Sequence, residues 1–293
     1  MTTIHDFNGA VLSPLLCELG EGPSFEAETG TLWWFDIIGR KLHELNLAEN
    51  LHSGHALPFM ASVVARVDEQ RQLIASEKGL FFRDRTTGEL TLHCELEADK
   101  PGNRSNDGRV HPSGSLWIGT MSKTGEAEAG AIYHVAGGIV TRLFDKIGIP
   151  NSICFSPDGA TGYFVDTKVN RLMQVPLDAA TGLPRGEAEV FVDRSGQPGG
   201  VDGSICDREG SIWNACWGEG ALDRYTSTGE HVERYRLPAN QTTCPVVLAD
   251  GRIAVTSARD GLDDAARAAD PLAGATFVLP LSVKGQKEPS YKA

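Results

Sequence analysis

Three residues that could hold a metal ion recur in similar surroundings: Glu21 in Leu19-Gly20-Glu21-Gly22-Pro23, Asn151 in Gly148-Ile149-Pro150-Asn151-Ser152, and Asp202 in Gly200-Val201-Asp202-Gly203-Ser204. Two carboxylates and an amide oxygen form a hard, all-oxygen donor set. It suits Ca²⁺, Mg²⁺ or Mn²⁺ better than Zn²⁺, which usually recruits His or Cys. Taken by spacing alone, the same residue types also serve as solvated turn formers. A fourth stretch, Asn103-Arg104-Ser105-Asn106-Asp107-Gly108-Arg109, is denser in polar groups. If it is extended, Arg104 and Asn106 project to one face, where a guanidinium fork and an amide can grip hydroxyl and carbonyl oxygens. On this stretch alone, an Asn-Asp-Gly turn with an exposed arginine accounts for the same residues.

Other chemistries find little support. Of eight histidines only His52 and His55 are close, and no third partner stands at metal-site spacing. The chain has no G-x-S-x-G elbow, no phosphate loop with its lysine and no dinucleotide fingerprint. Six dispersed cysteines without a C-x-x-C pair read as reduced, mostly buried thiols. Trp33, Trp34, Trp117 and Trp213 read as core, whereas Trp217, in a Gly-rich turn, is placed where it could line a channel mouth.

The elements that would position these residues come from a repeat. A turn followed by an apolar strand recurs as Gly30-Thr31-Leu32-Trp33-Trp34-Phe35, Arg71-Gln72-Leu73-Ile74-Ala75, Gly114-Ser115-Leu116-Trp117-Ile118, Thr161-Gly162-Tyr163-Phe164-Val165, Gly210-Ser211-Ile212-Trp213 and Gly251-Arg252-Ile253-Ala254-Val255. Copies are spaced by 41–49 residues, the length of a four-stranded propeller blade, and six copies imply six blades. Glu21, Asn151 and Asp202 precede the phrase of their own blades by about 8–10 residues, so equivalent blades would put them at equivalent places. In a propeller those places lie at the mouth of the central channel. The expected fold is therefore all-β: a six-bladed β-propeller with four antiparallel strands per blade. An N-terminal strand within 11–16 closes the ring, and a turn or two of helix lies within 263–270. Residues 1–293 are expected to form a single propeller domain with 284–293 as a flexible tail.

With 33 glycines, 15 prolines and 41% hydrophobic residues, the composition suits many short turns around a sizeable core. A net charge of −12 argues against nucleic acid or an anionic membrane surface as partner, since both require a basic footprint. The first ten residues lack an apolar stretch of signal-peptide length, which points to a cytoplasmic protein. A small molecule is the expected partner, and the chain is expected as a monomer or weak homo-oligomer.

Across nearly its whole length the chain resembles the SMP-30/gluconolactonase family, which includes regucalcin. The matching segments are Leu19-Gly20-Glu21-Gly22-Pro23, residues 32–40, Asn106-Asp107-Gly108-Arg109 with Gly119-Thr120-Met121, Pro150-Asn151 with Phe155-Ser156-Pro157-Asp158-Gly159, Asp202-Gly203, and Thr256-Ser257-Ala258-Arg259. The resemblance implies a sugar-lactone hydrolase whose one divalent metal ion is held by Glu21, Asn151 and Asp202. Ca²⁺ is the first expectation, with Mn²⁺, Mg²⁺ or Zn²⁺ as alternatives. It further implies substrate contacts from Arg104 and Asn106, and Asp202 as general base. A non-catalytic calcium-binding propeller or protein-interaction scaffold is the competing reading. Two departures matter. Many relatives carry an acidic pair soon after Gly-Thr-Met, whereas here Ser122, Lys123 and Thr124 follow, with Glu126 later; Val201 replaces the commoner proline before Asp202. Lys123 near Arg104 would suit an anionic substituent, or it is simply an exposed loop lysine.

Overall fold

The computed structural model describes all residues, 1–293. Six four-stranded antiparallel sheets follow one another in chain order. Their innermost strands are Gly20–Glu26, Ala61–Arg66, Asn103–Val110, Pro150–Phe155, Gly200–Cys206 and Thr242–Val247. The protein is a six-bladed β-propeller, as the repeat predicts. In the sixth blade the outermost strand is N-terminal: Ala10–Ser13 pairs antiparallel with Thr276–Leu279, which closes the ring with part of the segment expected to do so. A strand the sequence did not announce, Thr3–His5, adds in parallel to His231–Arg236 at the rim of the fifth blade. The single helix, Asp264–Ala269, lies in the loop expected to hold it, capped by the Asp263 side chain on the Ala266 N–H.

The apolar runs of the repeat are continuous rather than alternating because each sheet is buried on both faces. Leu32 and Trp34 pack with Val246 and Ala254 of the sixth blade, while Trp33 and Phe35 pack with Val64 and Ile74 of the second. One such cluster fills each of the six blade–blade interfaces. Trp33, Trp34, Trp117 and Trp213 all lie in them. The channel is thereby left free for polar side chains. The six cysteines are unpaired. No helix is long and apolar enough to cross a membrane.

Residues 284–293, expected to fray, instead lie across the far end of the channel, where the inner strands finish. Tyr291 is buried, its N–H donates to Arg66 O at 2.8 Å, and the N–H of Lys292 donates to Gly114 O at 2.9 Å. The Gln286 side chain donates to Phe155 O and Cys206 O at 3.0 and 2.8 Å. A polar sequence alone reads as a free tail; here its polar groups meet carbonyls left over at the rim.

Candidate active site

In all six blades the inner strand skips a register step against its neighbour at the same place, a β-bulge near its start. A bulge turns side chains that would otherwise enter the blade interface toward the axis. Glu21 and Asn151 are the last paired residues before their bulges, opposite Phe35 and Val165. Asp202 follows the last paired residue, Val201, and Asn106 likewise follows Ser105. Continued by one residue, these registers set Asp202 opposite Ala215 and Asn106 opposite Gly119, each two residues past the aromatic residue facing the next blade, as Phe35 is past Trp33 and Val165 past Tyr163. Glu21, Asn106, Asn151 and Asp202 therefore stand at one level, as the repeat predicts for three of them.

The bulges are tightly specified. Gly22 has φ 55°, and a Cβ there would meet Ser62 O at 2.0 Å, so no other residue fits. Ser152 also has positive φ, 56°, and its hydroxyl donates to Asp202 O and bonds Ser204 Oγ, tying the fourth bulge to the fifth. Ser62 and Ser105 make a similar hydroxyl contact of 2.8 Å between the second and third blades.

The segment 103–109 is strand rather than turn, and Arg104 and Asn106 share a face as expected. Arg104 Nη1 donates to Asn106 Oδ1 at 2.7 Å; Asn106 Nδ2 donates to Asn151 Oδ1 at 2.7 Å and to Pro150 O at 2.9 Å. Asn151 Nδ2 donates to Thr167 Oγ1 at 3.0 Å, and that hydroxyl donates to Val201 O at 2.7 Å. A chain of hydrogen bonds therefore runs from Arg104 to the residue preceding Asp202. It fixes the Asn151 amide with its oxygen toward Asn106. An amide oxygen has two lone pairs, so one remains for a further partner.

Electrostatics set this mouth apart. Burial, with Asp107 close by, raises the Glu21 carboxyl to about 8, against the Gly22 N–H and Arg104. Burial, then Glu21 and Asp107, pushes Asp202 well above the carboxylate range. Asp107 is raised to about 6 by burial, opposed by Arg109 and by the Ile153 and Gly108 N–H groups. Three carboxyl groups thus share a poorly hydrated space with Arg104 facing two of them. Such crowding is relieved by protons or by a cation. With the Asn151 oxygen, the donor chemistry fits a divalent oxygen-seeking ion.

Asp107 and Thr167 join this arrangement without a role legible in the sequence. The Asn-Asp-Gly context of Asp107 imitates a turn, and a threonine after a strand carries no signal of its own. Lys123 is paired with Glu77 and donates to Pro101 O at 2.7 Å, so its charge is already matched. Glu126 is exposed. Trp217 is half-buried, bridges to Gln241 and packs on the cluster containing Leu19 and Ala258.

Fold and site together define a propeller that gathers acid, amide and guanidinium groups on its axis. The model of the SMP-30/Gluconolactonase/LRE-like region matches residues 19–259, and the chain belongs to this family. The crystal structure of a calcium-binding protein, regucalcin, from Agrobacterium tumefaciens str. C58 superposes with a TM-score of 0.99, at 61% identity over 100% of both chains. L-arabinolactonase of Azospirillum brasilense is 34% identical over 95% of this chain and 94% of its own. Regucalcin of Danio rerio is 31% identical over 94% and 95% respectively.

Proposed function

We propose that this lactone-hydrolysing member of the family acts on a sugar-acid lactone, with one divalent ion held by Glu21, Asn151 and Asp202. The observation that carries the reading is the hydrogen-bonded run Arg104–Asn106–Asn151 beside two carboxyls, Glu21 and Asp202, whose pKa burial and then neighbouring carboxylates push upward. Ca²⁺ is the first candidate, as the relative of known structure is described as calcium-binding; Mn²⁺ and Mg²⁺ suit the same oxygen donors. When bound, the ion supplies positive charge that polarises the ester carbonyl and lowers the pKa of an attacking water.

The protein's own groups do the rest. Arg104 presents a guanidinium fork to ring hydroxyls and to the oxygen that gains charge as the carbonyl carbon becomes tetrahedral. Asn106 keeps that fork in register and holds the Asn151 amide. Asp202, ionised once a cation offsets its neighbours, accepts the proton that the water loses as its oxygen bonds to the carbonyl carbon. The proton then passes to the ring oxygen as the C–O bond breaks, leaving the open aldonic acid. Because Lys123 is already paired with Glu77, a neutral polyol lactone fits better than one with an anionic tail.

The test is a pH-indicator screen of five- and six-membered aldonolactones and an unsubstituted lactone, using metal-stripped protein refilled with Ca²⁺, Mn²⁺, Mg²⁺ or Zn²⁺. Acid release from hydroxylated lactones only after refilling supports the reading. Metal binding without turnover of any lactone would instead favour a calcium-binding scaffold.

A further inference from the structure

Beneath the site the channel holds a column of charged side chains that the proposed reaction does not use. Asp107 is fully engaged by backbone: Oδ1 accepts from Gly108 N at 2.8 Å and Oδ2 from Ile153 N at 2.7 Å. These two amides belong to the bulges that present Asn106 and Asn151. Arg109 then reaches across three blades: Nε donates to Ile153 O at 3.3 Å, Nη2 to Ser204 O at 3.5 Å, and Nη1 pairs with Glu288. Ile153 is thus held at its N–H by Asp107 and at its carbonyl by Arg109.

Glu288 arrives from the segment that crosses the far end of the channel. This strap touches every blade. Lys287 pairs with Glu28 of the first, and Tyr291 and Lys292 bond Arg66 and Gly114 of the second and third. Gln286 bonds Phe155 and Cys206 of the fourth and fifth, and Gly285 packs on Val247 of the sixth. The hydroxyl of Tyr291 lies 2.9 Å from His93 Nε2. A strap seated at so many points can hold one carboxylate against a buried arginine with little freedom.

We propose that Asp107, Arg109 and Glu288 are positioning residues that prop the metal- and substrate-binding bulges from the channel's far end, so that the C-terminal strap sets the geometry of a site it does not touch. The physical argument is one of partners. A guanidinium taken out of water needs its anions, and deprived of Glu288 it turns to the next one, Asp107. Asp107 can then no longer accept the Ile153 N–H in the same geometry, and the bulge carrying Asn151 loosens. Outer partners of ligand-bearing groups have effects of this kind on affinity. The inference rests on the proposed role of Asn151 as a ligand for its functional consequence, but not for the column itself.

The experiment compares Glu288→Ala, Glu288→Gln and Lys287→Ala in the full chain, measuring hydrogen exchange at the Ile153 amide, Mn²⁺ affinity, and kcat and KM on an aldonolactone. In Glu288→Ala the Ile153 amide should exchange faster and the Mn²⁺ Kd should rise by about tenfold, the lower end for outer partners of a metal site. Glu288→Gln keeps an acceptor for Arg109 and should fall between Glu288→Ala and wild type. Lys287→Ala loosens the strap only at Glu28 and should match wild type in every readout. Wild-type Ile153 exchange in Glu288→Ala overturns the proposal, as does a Lys287→Ala protein as impaired as Glu288→Ala, which would make the strap a general closure. If Asn151→Ala binds Mn²⁺ as wild type does, the ligand assignment fails; the column still stands or falls on Ile153 exchange.

Discussion

Asn106 donates Nδ2 to Asn151 Oδ1 over 2.7 Å, so the residue assigned to the substrate and a residue assigned to the metal share a hydrogen bond. Their roles should therefore be coupled. Asn106→Ala is expected to weaken Mn²⁺ binding as well as raise KM, and the double variant with Asn151→Ala should lose less affinity than the sum of the two singles. Titration calorimetry on the four proteins of the cycle decides it; strict additivity would mean that the bond carries no coupling.

Thr167 accepts from Asn151 and donates to Val201 O, linking two of the proposed ligand positions. Thr167→Val preserves shape and removes both bonds. The metal Kd should rise about tenfold, the lower part of the range for outer partners of metal ligands, and Thr167→Ser should recover most of the loss. Equal impairment in Val and Ser variants would point to the lost methyl packing instead.

Much of this arrangement was legible in the sequence, and the exceptions share a cause. The six repeat phrases, three of them Trp-bearing, gave six blades because an apolar strand after a turn recurs at blade-length spacing. Glu21, Asn151 and Asp202 stood out because carboxylate and amide side chains at strand starts are chemically conspicuous. The bulges that turn them toward the axis were not legible, because a bulge is set by pairing with the neighbouring strand rather than by local residue type. Asp107 and Thr167 were missed for a similar reason. Their partners, Ile153 and Asn151, lie 46 and 16 residues away, and only the closed ring brings them together. The strap failed to announce itself because Lys, Gln, Glu and Ser suit solvent equally well.

Arg104 faces Glu21 and Asp202 as well as Asn106. Arg104→Ala should lower kcat/KM on hydroxylated lactones by about 10²-fold, in keeping with loss of an oxyanion-type donor. Unsubstituted lactones should lose less. Metal affinity should hold or tighten, since a repelling cation is gone. Equal losses on both substrate types would remove the hydroxyl-gripping role.

Protonation supplies a further check. In the metal-free protein Glu21 is raised to about 8. A carboxyl raised on folding stabilises the protein fully below its unfolded value and loses that contribution as pH climbs through the folded value. Metal-free Tm should therefore suffer from this group between about pH 4.5 and 8, while a bound cation removes the penalty. The depressed histidines, His43 at about 4 among them, act oppositely at the acid end, but equally with and without metal. The Tm gain from saturating Ca²⁺ should grow from about pH 6 to 8, with protons released on binding near pH 7. A gain that is constant across this range would contradict the raised carboxyl.

The most direct measurement follows lactone hydrolysis while metal-stripped protein is titrated with Mn²⁺ and occupancy is recorded in the same samples. The rate should rise in proportion to occupancy and stop at one ion per chain. Glu21→Gln and Asn151→Ala should move both curves together to higher metal. In Asp202→Asn the rate should stay about 10²-fold or more below wild type even at full occupancy, the loss expected without a general base. Full hydrolysis by the stripped protein, or wild-type titrations in both Glu21→Gln and Asn151→Ala, would contradict the account.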